Sequence, residues 1–174
     1  MKWPINKSIT IFIVKVGVVF ALWYLVYELW LLPKGIIDDW LSQNIVRVSG
    51  GVLQALGFKA FVMDRVVGIG WQAGIEIVNG CNGIAAIGLF WGFVIAYPGK
   101  WADRIAFMIF GMGIIYLVNV FRIIVLVLTQ KYWNQFFDIT HDYSTTTIFY
   151  LVIFLLWVIW ANYQDTPGKK QNAT

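Results

Sequence analysis

The apolar run from Ser8 to Leu32 constrains this chain more than any other feature. A helix of about 20 apolar residues crosses a bilayer, so the run reads as a first membrane helix. It is too long for a signal-peptide core, and no small-residue cleavage site follows it. Lys15 and Glu28 interrupt it. Lys15 reads as snorkelling to the nearer interface, and Glu28 lies close enough to the far end to reach interfacial water. The composition agrees with a membrane protein: 60% of the 174 residues are hydrophobic and 13% are charged, far from the soluble norm.

Pro33 and Gly35 end the first run. From Asp38 to Leu56, Trp40, Leu41, Ile45, Val48, Val52 and Leu56 recur at three- and four-residue spacing. That predicts an amphipathic outer helix, interfacial or packed on the bundle. Phe61 to Met63 and Ile75 to Val78 are short β-favouring runs separated by Asp64-Arg65 and several glycines, which predicts a small β-like lid. Three further apolar segments follow. The expected architecture is an all-α integral membrane protein forming a single membrane domain. Its spans lie at about 8–32, 81–98, 104–129 and 143–163, with an outer loop at 33–80 and a cytoplasmic tail at 164–174 that reads as disordered. Trp157, Trp160 and Tyr163 form an aromatic belt at the end of the last span.

The net charge of +4 is scattered, with no basic block to suggest nucleic acid. Its distribution speaks to topology instead. Lys2, Lys7, Lys100, Arg104, Lys169 and Lys170 fall on one side of the predicted map. The short loop from Thr129 to Asp142, on the other side, carries only Lys131. Both termini are therefore expected in the cytoplasm.

Against this map the unusual residues gather in one leaflet. Cys81 is the only cysteine, which excludes an internal disulfide and any Cys-pair metal site. His141 is the only histidine, which argues against a conventional zinc site, and no metal or cofactor is expected. Cys81 lies between Gly80 and Gly83, so backbone and substrate can approach it closely. Asn79 and Asn82 are each able to cap a helix that starts here, and its dipole would favour thiolate. The bland alternative is a small apolar residue at a helix end. Arg122 lies eight residues before Gln130, about 12 Å below the outer helix end. A charge at such depth faces the bundle interior or a wet cavity, and Asn119 shares its helix face. The alternative for Arg122 is a structural ion pair with Glu28. His141 gains meaning only beside a thiol, which needs a base and later an acid. Asp138 and Asp142 are near it in sequence.

Asn79-Gly80-Cys81-Asn82-Gly83-Ile84, then Asn119-Val120-Phe121-Arg122-Ile123, then His141, resemble the exosortase/archaeosortase family of membrane transpeptidases. The resemblance covers roughly Glu76 to Tyr163. It implies Cys81 as nucleophile, with Arg122 and His141 completing the catalytic set. Asn119, Asn82 and Gly83 are implied as substrate-binding or supporting residues. Asn82 stands where many members have serine, and the chain is a short, core-only form. The implied function is cleavage of the C-terminal sorting signal of exported proteins through a Cys thioester, with transfer to an acceptor. The implied partner is a membrane-anchored protein ending in a short motif, a transmembrane helix and a basic cluster. The implied location is the prokaryotic cytoplasmic membrane, with the site facing outward. The rival reading is a non-enzymatic transporter or assembly subunit, in which Arg122 is structural and Cys81 dispensable.

Overall fold

The computed structural model describes residues 7–143 and 147–165. Lys2, Lys169 and Lys170, which entered the topology argument, lie outside the described residues, as does most of the expected tail. Helix α1 (Lys7–Trp23) widens into a π-helical segment (Tyr24–Leu31) and ends in one turn, α2 (Leu32–Lys34). Then come α3 (Ile36–Ala55), three strands, β1 (Ala60–Met63), β2 (Val66–Ile69) and β3 (Ile75–Glu76), and α4 (Ile84–Ala96). Next are α5 (Trp101–Tyr132), a 3-10 turn (Asn134–Phe136), α6 (Phe137–Tyr143) and α7 (Phe149–Asp165).

Two helical stretches, Ile9–Lys34 and Trp101–Tyr132, are long and apolar enough to cross a membrane. Helices α4 and α7 are apolar but shorter. Leu25, Ile109, Leu117, Leu151 and Phe154 are each more than half exposed. Water does not tolerate so extended an apolar surface, whereas lipid does. The chain is a mainly helical membrane protein with one small sheet.

The apolar core has two parts. Phe90 and Val94 of α4, Ile115 of α5, and Phe149, Ile153 and Trp160 of α7 form one. Phe93 stacks on Trp157 with centroids 4.7 Å apart. At the end of this region where α4 stops, Arg104 donates from Nη2 to the main-chain oxygen of Tyr97 at 2.9 Å and lies over the Trp101 ring. The second part joins Ile45 and Leu53 of α3, Val67 and Ile77 of the sheet region, and Ile123 and Val127 of α5.

Helix α3 buries a mixed face, aliphatic and polar together. Its buried positions are Asp38, Ser42, Ile45, Val46, Ser49, Gly50 and Leu53. Trp40, Val48, Val52 and Leu56 of the expected apolar stripe are exposed, and only Ile45 of that stripe is fully buried. Ile45, Val46 and Leu53 of the buried face join the apolar core, and its polar members find hydrogen-bond partners beside them. Ser49 Oγ donates to the Val120 oxygen at 3.4 Å, and Asn44 Oδ1 accepts from the Tyr116 hydroxyl at 2.6 Å. The exposed side carries Trp40, Val48, Val52 and Leu56 together with Asp39 and Arg47, a mixture that suits a membrane interface. Gly50 seats the sheet on α3: a Cβ there would meet Val62 Cγ2 at 2.3 Å.

The lid is a three-stranded antiparallel sheet in the order β1-β2-β3. Its middle strand, Val66–Ile69, is an addition to the two runs read from the sequence. Met63 pairs with Val66, so Asp64-Arg65 is a two-residue turn, with Asp64 at φ 51°. Aspartate tolerates this left-handed conformation better than most residues. The expected loop from Thr129 to Asp142 is largely helical. It contains the last turn of α5, the 3-10 turn and most of α6.

Candidate active site

The segment between β3 and α4 carries Cys81. It is shaped by a turn in which Cys81 N–H donates to the Val78 oxygen at 3.1 Å. Gly80 and Gly83 hold φ of 83° and 88°, a region open to glycine at little cost. At Gly83 a Cβ would also stand 3.3 Å from Asn119 Nδ2. Asn82 is buried, and its Oδ1 accepts the Ile84 N–H at 3.2 Å, satisfying one orphan donor at the start of α4. The helix therefore begins at Ile84, with Gly83 as its cap. Cys81 lies ahead of the cap, outside the first turn, where the dipole acts most strongly. The helix dipole therefore acts on Cys81 only weakly. The nearby positive charge is Arg122.

Arg122 is buried on α5, and its Nη1 donates to the main-chain oxygen of Cys81 at 3.2 Å. The guanidinium also interacts with the Cys81 side chain and lies 5.9 Å from the centre of the Phe149 ring. Among the described residues, Glu28 forms no salt bridge with it. The ion-pair alternative thus has no support in the geometry. A hydrogen bond from a charged donor is stronger than a neutral one, and this one ties α5 to the cysteine segment.

His141 lies on α6 and is half-buried. Its Nδ1 is 3.3 Å from Asp142 Oδ1, and its ring stacks near Phe137 with centroids 6.2 Å apart. Asp142, rather than Asp138, is the carboxylate that meets the imidazole.

Two cavities meet at these side chains. The larger, of about 250 Å³, is lined by Cys81, Gly83, Ala86, Arg122, Phe149 and Ile153, among others. It opens between α4 and α7. The smaller, of about 50 Å³, includes Glu76, Ile77, Cys81, Arg122, Leu126 and His141. Cys81 and Arg122 border both, and the second brings His141 to them. Among the described residues, no group of three or more His, Cys, Asp or Glu is arranged to hold a metal ion.

A match to the family "Transmembrane exosortase (Exosortase_EpsH)" covers residues 14–158. The chain belongs to the transmembrane exosortase family. It is also 26% identical over 153 residues to "Probable archaeosortase D" of Methanocaldococcus jannaschii, an alignment covering 87% of this chain and 89% of that one. No solved structure matches it significantly.

In this exosortase chain two further features surround the cysteine. Asn119 is fully buried beside Gly83, and neither of its amide atoms has a hydrogen-bond partner among the described residues. Asp38, also fully buried, accepts from Asn82 Nδ2 at 2.8 Å and from Gly80 N–H at 3.1 Å. Sequence reading missed Asp38 because a carboxylate near the start of an amphipathic helix looks like part of a solvated face. The available signal was Ser42 and Ser49. With Asp38 they form a polar row at helical spacing.

Proposed function

We propose that this chain is a membrane cysteine transpeptidase acting on the C-terminal sorting signal of exported proteins. The observation that carries this reading is the Arg122 bond to the Cys81 carbonyl, inside an apolar bundle, with His141 lining a cavity common to both. Chemistry of this kind needs a thiol, a fixed cation and a proton carrier converging on one space. The family relation supports the same class of reaction.

Cys81 gives its thiol proton to His141, and Sγ attacks the scissile carbonyl and forms a C–S bond. Arg122, and N–H groups of the cysteine segment, stabilise the oxyanion. The C–N bond then breaks, and His141 gives the leaving amine its proton. The thioester passes to an acceptor nucleophile or to water, and Cys81 is released. Asn119 is fully buried with its Nδ2 against Gly83 and lines neither cavity, so its part is to support the cysteine segment. The larger cavity is apolar where it opens between α4 and α7. That suits a substrate whose own membrane helix lies against these two helices.

The reading has a topology. Trp101 to Arg122 is about 30 Å of helix, one bilayer thickness. With Trp101 at the cytoplasmic interface, Arg122 stands near the outer one, higher than its position in the apolar run implied. Four crossings, with cytoplasmic termini, then bring Cys81, Arg122 and His141 to the outer face. The partner is a membrane-anchored protein ending in a short motif, a transmembrane helix and a basic cluster.

The test is acid quenching of the detergent-extracted protein mixed with such a substrate. A hydroxylamine-sensitive adduct on wild type, absent from Cys81→Ala, is the expected result. Undiminished cleavage by Cys81→Ala would overturn the reading and return the chain to the non-enzymatic class.

A further inference from the structure

The segment that carries Cys81 is held from outside by one buried carboxylate. Asp38 sits in the first turn of α3, is fully buried, and has no salt-bridge partner among the described residues. Three donors converge on it. Gly80 N–H and Asn82 Nδ2 meet Oδ1 at 3.1 and 2.8 Å. The Tyr27 hydroxyl lies 3.0 and 3.2 Å from the two oxygens. Gly80 and Asn82 are the residues on either side of Cys81.

A buried carboxylate is costly unless its oxygens are bonded, and these bonds, with the helix N-terminus, offset that cost. None of the three reaches the thiol. They fix the main chain immediately before and immediately after it, which sets the direction of the Cys81 Cα–Cβ bond. Tyr27 is the buried residue of the π-helical segment, a kind of irregularity common near functional sites. Ser42, one turn along α3, lies 3.5 Å from Asn82 Nδ2 and 3.4 Å from Arg65 Nη2. Arg65 in turn bonds the Ile77 oxygen and Asp39. Helix α3 thus grips the cysteine segment at Ile77, Gly80 and Asn82, while Arg122 grips it at Cys81 from the opposite helix.

We propose that Asp38 is the positioning residue of this site: by holding Gly80 and Asn82 it sets the Cys81 thiol against Arg122, and Tyr27 holds Asp38 in turn. The inference rests on the reading of Cys81 as nucleophile. A mere staple between α3 and the bundle would affect stability alone. A positioning residue affects the thiol.

The experiment compares Asp38→Ala, Asp38→Asn and Tyr27→Phe with wild type as full chains in detergent. It measures kcat and KM for the membrane-anchored substrate, and the rate at which N-ethylmaleimide alkylates Cys81, the sole thiol. Asp38→Ala is expected to lower kcat on the order of 100-fold, with KM within about twofold, because a misplaced nucleophile loses the transition state rather than the substrate. Its alkylation rate should change as well. Asp38→Asn keeps an oxygen for Gly80 and Asn82, so it should recover kcat to within about fivefold of wild type. Tyr27→Phe leaves the carboxylate but loosens it, for a loss of about tenfold. Wild-type kcat and alkylation rates in folded Asp38→Ala and Tyr27→Phe would overturn the proposal. So would a lowered melting temperature with unchanged kcat. If Asp38→Ala does not fold, Tyr27→Phe decides by the same measurements. Failure of the enzyme reading looks different: Cys81→Ala then cleaves normally, and the alkylation rates still judge Asp38.

Discussion

Arg122 meets Cys81 at its main-chain oxygen, 3.2 Å from Nη1. The contact fixes the peptide that follows the thiol, and in the proposed mechanism the same planar fork also holds the reacting carbonyl. Lysine has a single ammonium on a flexible stem and cannot satisfy both tasks at once. Arg122→Lys is therefore expected to insert and extract like wild type, while substrate cleavage falls by about 100-fold or more, as for loss of an oxyanion donor. Cleavage of a co-expressed substrate, with monodispersity checked by gel filtration, measures both. Normal cleavage by the lysine variant would return Arg122 to a structural part.

Cys81→Ala and Lys131→Ala should separate cleanly. The first replaces a small side chain by a smaller one and should abolish processing while leaving the folded protein intact. Lys131 lies near the end of α5, away from both cavities at the cysteine, and its loss should change processing by less than about twofold. The same cleavage assay reads both variants.

Gly83→Ala should be destabilising out of proportion to its size. The backbone there is left-handed at φ 88°, and the added Cβ would press on Asn119 Nδ2 at 3.3 Å. A cost of about 1–3 kcal/mol is expected, visible as a lowered melting temperature in detergent. A melting temperature equal to wild type would mean that the segment relaxes freely.

The buried serines of α3 and its exposed valines predict an unusual mutational pattern. Ser42→Leu forces a bulky group between α3 and Asn82 and should cost about 1–3 kcal/mol. Val48→Ser, on the exposed face, should cost less than about 0.5 kcal/mol in detergent. Thermal unfolding of the two variants measures the difference. An equal or opposite ranking would show that the buried face has been misassigned.

Much of the fold was legible because charge inside an apolar run is conspicuous. Arg122 declared itself that way, and the single cysteine and histidine followed from the order of the apolar segments. The β lid was legible at Phe61–Met63 and Ile75–Glu76, where β-favouring residues are contiguous. Its middle strand was not, since Gly68 interrupts Val66–Ile69 and glycine disfavours a strand. Helix α3 was recognised as amphipathic, interfacial or packed on the bundle, without the side that it buries. Periodicity locates a stripe without saying whether lipid or protein covers it. Asp38 and Tyr27 stayed hidden for another reason. Their contact crosses the break at Pro33–Gly35, and nothing in local spacing brings a π-helical tyrosine to the next helix.

Two arginines of α5 clasp the main chain on either side of α4, Arg122 at Cys81 and Arg104 at Tyr97. They stand about five turns apart on one helix, so they share a face. The short helix between those carbonyls is pinned at both ends like a rung. It can roll, but it cannot slide along α5 without breaking a charged bond. The height of the thiol is therefore gauged from the opposite end of the bundle as well as by the local bonds to Asp38. Inserting a whole helical turn into α5 between the two arginines would keep their facing and raise one by about 5 Å. The clasps would then pull against each other, and the scissile bond of any substrate anchored by its own helix would fall out of reach.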